Sequence, residues 1–289
     1  MNILVDLSNI CWIKRFGHLK SKKYDPYGKQ LIIQETIKEI FKTYKQFKGS
    51  NVVLAVDSKN TWRKQMYPAY KATRDTEFDI YYDDVREAME EITEFFNNNT
   101  NCYVLKVDEC EADDVISTVV ENTSGNLVLS SDKDFVQLLR KDSNVVIFNP
   151  MKKEKRTSEN PEYELFVKCF RGDRGDNILN AYPGVRETRL KQAYDSGYDR
   201  ANLLNEKRKD GDVVNDWYEF NRTLIDFDYI PQTYKDNILE EIRNRQENGS
   251  NNYSYVKVLR GLRDLGLKQF ALETINNHVF ILKNRSDLL

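Results

Sequence analysis

Residues 2–6 read NILVD, an apolar run of strand length that ends on a carboxylate. The pattern returns as NVVLAVD at 51–57 and NLVLSSD at 126–132, and a related run, NCYVLKVDE at 101–109, leads to Glu111. Short apolar runs of this kind read as strands. Between them the period changes. LIIQETIKEIFKTYKQF sets Ile33, Ile37, Ile40 and Phe41 at helical spacing, and the span from Asp79 to Asn99 does the same with Val85, Met89, Ile92, Phe95 and Phe96. EADDVISTVVEN and KDFVQLLRK each open a further helix. Strands alternating with helices predict an α/β fold with a mostly parallel central sheet flanked by helices.

Such sheets build their sites at the carboxyl ends of the strands, and that is where acids fall. Asp6, Asp57, the run Glu111/Asp113/Asp114 and the pair Asp132/Asp134 follow strands, while Asp173/Asp176 follow a helical segment, making nine acids in five places. Two carboxylates 4 Å apart repel by roughly 4 kcal/mol at an effective dielectric of about 20. Convergence therefore demands cations. Two divalent ions about 3.5–4 Å apart can activate a water on one side of a phosphodiester and stabilise the departing oxygen on the other. Mg²⁺ suits hard oxygen ligands and keeps several of its waters.

Each piece also has an ordinary structural reading. Acids in the first turn of a helix are favoured by its dipole, and GDRGDN at 172–177 serves equally well as an Asp-capped turn. EADD, SSDKD and GDRGDN together tilt the reading toward metal-dependent phosphate chemistry. Only His18 and His278 are histidines, so carboxylates must carry the reaction.

The chain has 289 residues, 40% of them hydrophobic and 31% charged, with a mean hydropathy of -0.69. This composition supports a sizeable core under a water-facing surface. Met1 leads straight into the first strand and no apolar run approaches the ~18 residues of a membrane span. The expectation is a cytoplasmic monomer. Cys11, Cys102, Cys110 and Cys169 form no metal-ligand spacing and are expected as free thiols without zinc.

A net charge of -2 argues against a polyanion partner until its distribution is considered. KNTWRKQMYPAYKATR at 59–74 holds Lys59, Arg63, Lys64, Lys71 and Arg74 with no acid, and Lys152 to Arg156 form a second basic cluster. Cations interleaved with Trp62, Tyr67 and Tyr70 can grip phosphates and stack on bases; a basic loop with inward-packed aromatics fits the same residues. From Pro161 onward helical patterns dominate, and NAYPGVRETRLKQAY suggests two helices around a Pro183-Gly184 turn, flanked by Arg186, Arg189 and Lys191. RQENGSNNYS at 245–254 reads as an exposed loop. The expected division is an α/β nuclease domain at 1–170, with a basic arch at 59–85, and a helical DNA-binding domain at 171–289.

Taken in order and at these spacings, VDLSN, AVDSKNTWRKQMYPAYKATR, EADD, SSDKDFVQLL and GDRGDN resemble the 5′ nuclease family of flap endonucleases and bacteriophage 5′ to 3′ exonucleases. NRTLIDFDYIP at 221–231 and NYSYVKVLRGLRDLGL at 252–267 resemble its T-even bacteriophage branch, whose members act as ribonuclease H, so the likeness spans nearly the whole chain. The resemblance implies a nuclease that removes RNA primers and adjoining DNA from 5′ ends and flaps, using two Mg²⁺ ions for which Mn²⁺ could substitute. It implies one ion at Asp6, Asp57, Glu111, Asp113 and Asp132, and a second at Asp134, Asp173 and Asp176, with Asp114 near both through water. Lys71 corresponds to a lysine on the scissile phosphate, and Asp132 and Asp114 join it in the catalytic set. Arg63, Lys64 and Arg74 fall at basic arch positions, and Tyr70 at an aromatic that stacks on a terminal base. Gly184, Arg186 and Arg189 fall in a phosphate-gripping hairpin. The family hairpin carries a second glycine two residues after the first, whereas Gly184 is followed by Val185 and Arg186. Implied partners are DNA and RNA/DNA duplexes with 5′ ends or flaps, together with replication proteins such as a single-strand-binding protein or sliding clamp. A PIN-like endoribonuclease and a catalytically silent structure-specific DNA-binding module are the alternatives.

Overall fold

The computed structural model describes residues 1–20, 23–74, 79–142, 144–248, 254–277 and 288–289. Through the first half the elements are β1 (Asn2–Asp6), α1 (Leu7–His18), α2 (Gly28–Gln46), β2 (Asn51–Ala55), α3 (Trp62–Met66), α4 (Tyr82–Asn99), β3 (Tyr103–Leu105), α5 (Ala112–Asn122), β4 (Asn126–Leu129), β5 (Val146–Asn149) and β6 (Glu154–Arg156). Then come α6 (Pro161–Arg171), α7 (Glu187–Asp195), α8 (Gly197–Leu204), α9 (Val214–Ile225), α10 (Gln232–Asn248), α11 (Tyr255–Asp264) and α12 (Lys268–Asn277). The segment after Asp132 that reads as an α-helix is a 3-10 helix, Asp134–Arg140.

The chain divides into two compact units. One comprises Met1–Lys59, Asp75–Thr157 and Thr233–Leu289, the other Asn60–Arg74 and Ser158–Gln232. Relative to a single cut after residue 170, the segments 60–74 and 158–170 lie with the helical unit, and 233–289 with the sheet unit.

In the sheet unit, six strands run in the order β3-β2-β1-β4-β5-β6. All neighbours are parallel except β5 and β6, which form an antiparallel edge. This is the α/β architecture expected, and its order reverses between β1 and β4, where such sheets open a crevice. Register follows the sequence pattern. Asn2 lies opposite both Asn51 and Asn126, and their side chains form a ladder: Asn51 Nδ2 donates to Asn2 Oδ1 at 3.0 Å, and Asn2 Nδ2 to Asn126 Oδ1 at 3.2 Å. The three strands are thus aligned by buried amides at one end and carry acids beyond the other.

Ile3, Val5 and Leu54 of the sheet share one apolar core with Ile33, Ile37 and Phe41 of α2 and Ile92 and Phe96 of α4. Full burial of each such side chain stabilises by about 1.5–3 kcal/mol. Val258 and Leu262 of α11 and Phe270 of α12 join this core, with the Phe270 ring 5.8 Å from Phe41. Gly261 permits the approach, since a Cβ there would lie 2.8 Å from Phe95 and Asn99. The long helical pattern at the C-terminus is broken into α11 and α12 at Gly266, whose φ of +74° suits glycine. Of the loop expected at 245–254, the first four residues continue α10 to Asn248, and residues 249–253 lie outside the described residues.

The helical unit has its own core of Phe166 and Phe170 from α6, Leu190 from α7 and Tyr218 and Leu224 from α9. Asn221 ties α9 to it by donating to the carbonyls of Cys169 and Leu179, both at 2.8 Å.

Candidate metal centre and nucleic-acid interface

Register places the acids of the sheet unit. Asp6 ends β1 opposite Ala55, the last residue of β2, so Asp57 lies two residues past the end of the neighbouring strand. Val5 lies opposite Leu129, which puts Ser130 beside Asp6 and Asp132 two residues further on. Hydrogen bonds then fix the side chains. Asp6 caps α1 by accepting from the Asn9 N–H at 3.1 Å, and its other oxygen accepts from Ser130 Oγ at 2.9 Å. Ser130 Oγ in turn accepts from the Asp132 N–H at 3.0 Å, and Asp132 Oδ1 accepts from the Asp134 N–H at 2.9 Å. The Asn9 amide oxygen receives both the N–H and the hydroxyl of Ser131, and Arg156 donates to the Ser131 carbonyl.

Asp57 reaches the start of α5, where Oδ1 accepts from the Ala112 N–H at 2.9 Å. The partial positive charge of a helix N-terminus favours a carboxylate there. Glu111 is the N-cap of α5, and its N–H bonds Asp114 Oδ2 at 2.9 Å; both residues are buried, with Asp113 half-buried between them. Seven of the nine acids therefore lie at the carboxyl ends of β1, β2 and β4 and the first turn of α5.

Electrostatics register this crowding. Burial, then the charge of Asp57 and that of Asp132, push the Asp6 carboxyl up to about 7, against the donors Asn9 and Ser130. Among the described residues, no three acids already meet as a closed ligand set. Mutually repelling carboxylates are expected to stand apart until a cation draws them together. Their chemistry fits hard divalent ions, because every donor is an oxygen and one is a buried carboxyl raised by its anionic neighbours.

The remaining two acids belong to the helical unit. Asp173 follows Gly172, whose φ of +66° brings its Cα against the carbonyls of Ile178 and Leu179, so a side chain there would collide. Burial pushes the Asp173 carboxyl up, but Lys168 at 2.8 Å and the N–H groups of Gly175 and Asp176 outweigh it and hold the group below its ordinary range. Asp176 accepts from the Tyr70 hydroxyl at 3.2 Å and from Arg74. Its carbonyl takes the Lys71 N–H at 2.8 Å, and Asn177 donates to the Ala69 carbonyl at 2.9 Å. The basic segment and GDRGDN are thus clasped together inside one unit.

That clasp changes how two basic-segment residues read. Arg63 is 2% exposed, its Nε donates to the Leu224 carbonyl at 2.8 Å, and its guanidinium stacks 4.3 Å over Trp62. It is an internal tie between α3 and α9, not an exposed arch cation. Tyr70 is 4% exposed within the helical core, with its hydroxyl on Asp176, so a terminal base has no open ring face to stack upon in this structure. Lys64 and Arg74 are exposed, and Lys71 is half-buried with its ammonium 4.9 Å over the Tyr70 ring. Gly184, Arg186 and Arg189 are exposed together around the Pro183-Gly184 turn. Asn9, Ser130 and Ser131 position the acids yet carry no charge of their own. Their signal was adjacency, as Asn9 lies in VDLSN and the two serines directly precede Asp132.

The 5′-3′ exonuclease N-terminal, resolvase-like domain family matches residues 2–166, more than half of the chain. The chain belongs to this 5′ nuclease family. It is 27% identical to the ribonuclease H of Enterobacteria phage T4 over 238 residues, 72% of this chain and 74% of that protein. It is also 27% identical to the flap endonuclease Xni of Shewanella denitrificans over 231 residues, 74% of this chain and 82% of the relative. A bacteriophage T5 flap endonuclease in a pseudo-enzyme-product complex with DNA and metal ions shares the fold, with a TM-score of 0.65 at 19% identity over 85% of this chain and 98% of that one. Among the described residues, no helix is long and apolar enough to cross a membrane.

Proposed function

We propose that this chain is a Mg²⁺-dependent 5′ to 3′ exonuclease and flap endonuclease that removes RNA primers and adjoining DNA from duplexes. The observation that carries the reading is the Asp6 carboxyl, buried and pushed up to about 7 at a strand end beside Asp57 and Asp132. Buried charges are ordinarily paired or coordinate a metal, and a divalent cation would relieve the repulsion among these carboxylates. Family membership and the names of the relatives supply the reaction class.

Asp6, Asp57, Glu111, Asp113 and Asp132 would hold one Mg²⁺, and Asp134, Asp173 and Asp176 would serve a second, with Asp114 acting through water and Mn²⁺ able to replace Mg²⁺. Bound ions supply charge neutralisation on the transferring phosphate and acidify a water. The chain's own residues do the rest. Asn9, Ser130 and the α5 N-terminus hold the carboxylates in place, and the Lys71 ammonium stabilises charge on the phosphate as the 3′ oxygen leaves. Water attacks phosphorus in line, and the products carry 5′ phosphates. Arg74, Lys64 and the hairpin cations Arg186 and Arg189 grip the backbone, whose phosphates dominate such binding.

A 5′-labelled flap incubated with Mg²⁺, with and without EDTA, tests the proposal. Mg²⁺-dependent cleavage near the junction is expected. Internal cuts in single-stranded RNA would favour a PIN-like endoribonuclease, and binding without turnover a silent DNA-binding module.

A further inference from the structure

The turn that leads from β3 to Glu111 holds a strained residue. Its closing bond runs from the Cys110 N–H to the Val107 carbonyl at 3.1 Å, which puts Glu109 at the third position of a four-residue turn with a φ of +64°. Type II turns take glycine or asparagine at that position, because an L side chain at positive φ crowds its own backbone. Such a residue persists only where its surroundings hold it.

Three bonds stitch this turn to the segment that follows β2. The Glu109 N–H donates to Ser58 Oγ at 3.3 Å, the Ser58 N–H to the Cys110 carbonyl at 2.9 Å, and the Ala112 N–H to Asp57 Oδ1 at 2.9 Å. Cys110 is fully buried, which anchors the turn from its inner side. Asp57 directly precedes Ser58, and Glu111 lies between Cys110 and Ala112. The shape of the turn therefore sets one of these acids against the other.

The Glu109 side chain shows why glycine does not occupy its place. Its Oε2 accepts from the Tyr234 hydroxyl at 2.8 Å. Tyr234 lies in the first turn of α10, two residues after Gln232, where the chain passes from the helical unit into the sheet unit. Burial first, and then the Glu109 carboxylate, push the Tyr234 phenol up to about 12, so it keeps its proton and donates at neutral pH. A glycine at 109 would relax the backbone and give up this bond. The next residue of α10 has a separate contact. Lys235 Nζ donates to both oxygens of Glu121 at 3.1 and 2.9 Å, and Glu121 is the last but one residue of α5. Lys235 thus docks α10 at the far end of α5, while Tyr234 reaches the turn before its start.

We propose that Tyr234 is a positioning residue for the metal centre: through Glu109 it holds the turn that sets Asp57 against Glu111. The part of those two acids as ligands rests on the metal reading above. Tyr234 touches neither ion nor substrate and acts only through the turn.

Two readouts on the full chain separate this role from that reading. The first needs no metal: hydrogen exchange in EDTA at the Ala112 amide, whose protection reports its bond to Asp57. The second is calorimetric titration with Mg²⁺. Both are to be measured for the wild type, Tyr234→Phe, Glu109→Gln, Glu109→Gly and the docking control Lys235→Met. Tyr234→Phe should lose protection at Ala112 and bind Mg²⁺ about tenfold more weakly, the low end of the loss when a partner behind a metal ligand is removed. Glu109→Gln keeps an acceptor for the tyrosine hydroxyl and should recover most of both. Glu109→Gly should melt no lower than Glu109→Gln, because the strain is gone, and yet bind Mg²⁺ as weakly as Tyr234→Phe. Lys235→Met should lower the melting temperature and leave both readouts at their wild-type values. Wild-type Mg²⁺ affinity in both Tyr234→Phe and Glu109→Gly would overturn the proposal whatever the exchange shows, since the contact would then be structural alone. An equal loss of affinity in Lys235→Met would overturn it too, by tracing the effect to the docking of α10. A wild-type chain that binds no Mg²⁺ would overturn the metal reading itself, and the role given to Tyr234 with it.

Discussion

The Ser130 hydroxyl donates to Asp6 Oδ2 at 2.9 Å, joining residues 124 positions apart at the crevice between β1 and β4. Its Oγ also accepts from the Asp132 N–H, so one hydroxyl orients two acids. Ser130→Ala should weaken Mg²⁺ binding about tenfold, in line with losing a partner that orients a metal ligand. It should also lower stability by about 1–3 kcal/mol, because Ser130 is fully buried. Calorimetric titration with Mg²⁺ and a thermal melt check both outcomes.

Asp132→Asn removes one negative charge while preserving shape. Cleavage of a flap should fall by on the order of 10³-fold, the several kcal/mol that metal-assisted charge stabilisation supplies. Duplex affinity should stay within about threefold, because phosphates are gripped by cations elsewhere. Wild-type cleavage rates in this variant would remove Asp132 from the reaction.

Lys71 adopts a φ of +57°, a left-handed conformation that any L side chain finds strained. Lys71→Ala therefore leaves the backbone preference nearly untouched and isolates the ammonium. Single-turnover cleavage should slow by about 10²-fold or more. Lys71→Gly should be equally slow yet more stable than Lys71→Ala by about 1 kcal/mol. A melt together with a quench-flow series separates the two effects.

For Arg63 the expected loss is stability. Arg63→Met gives up the bond to the Leu224 carbonyl and the stack on Trp62. Unfolding free energy should drop by about 1.5–3 kcal/mol. Affinity for duplex DNA per folded molecule should remain at the wild-type value. A drop in affinity without a drop in stability would return Arg63 to the nucleic-acid interface.

Acidity offers a separate check on the metal centre. The folded-state pKa of Asp6 is raised from 3.8 to about 7, so in EDTA its contribution to stability is present at low pH and fades as pH rises from the ordinary carboxylate range to about 7. A divalent ion binds the deprotonated form. The rise in melting temperature on adding Mg²⁺ should therefore be larger at pH 8 than at pH 6, with protons released on binding at pH 6. Equal shifts at both pH values would contradict this linkage.

Much of the sheet was legible because β1, β2 and β4 are uniformly buried, so their apolar runs stand out from the polar segments around them. The edge strand β6, with its exposed Glu154 and Lys155, carries no comparable signal. The return of α11 and α12 to the sheet unit depends on the close approach at Gly261, a long-range packing that helical periodicity does not encode. The acids could be picked out by their place after strands, but the sense of the basic segment could not. Arg63 and Tyr70 look like surface grips until the 60–74 segment is seen folded onto GDRGDN and α9, where one meets a carbonyl and the other a carboxylate.

The asparagine ladder has a consequence for how the chain can change. Asn2, Asn51 and Asn126 lock their strands at one margin, so the distance from each amide to the acid beyond it is measured along a rigid ruler. Inserting or deleting one residue inside any of the three would force a choice between breaking the lock and turning its carboxylate to the opposite face. Drift in length is thereby confined to the connections, and the spacing from anchor to acid becomes the least negotiable dimension of the molecule.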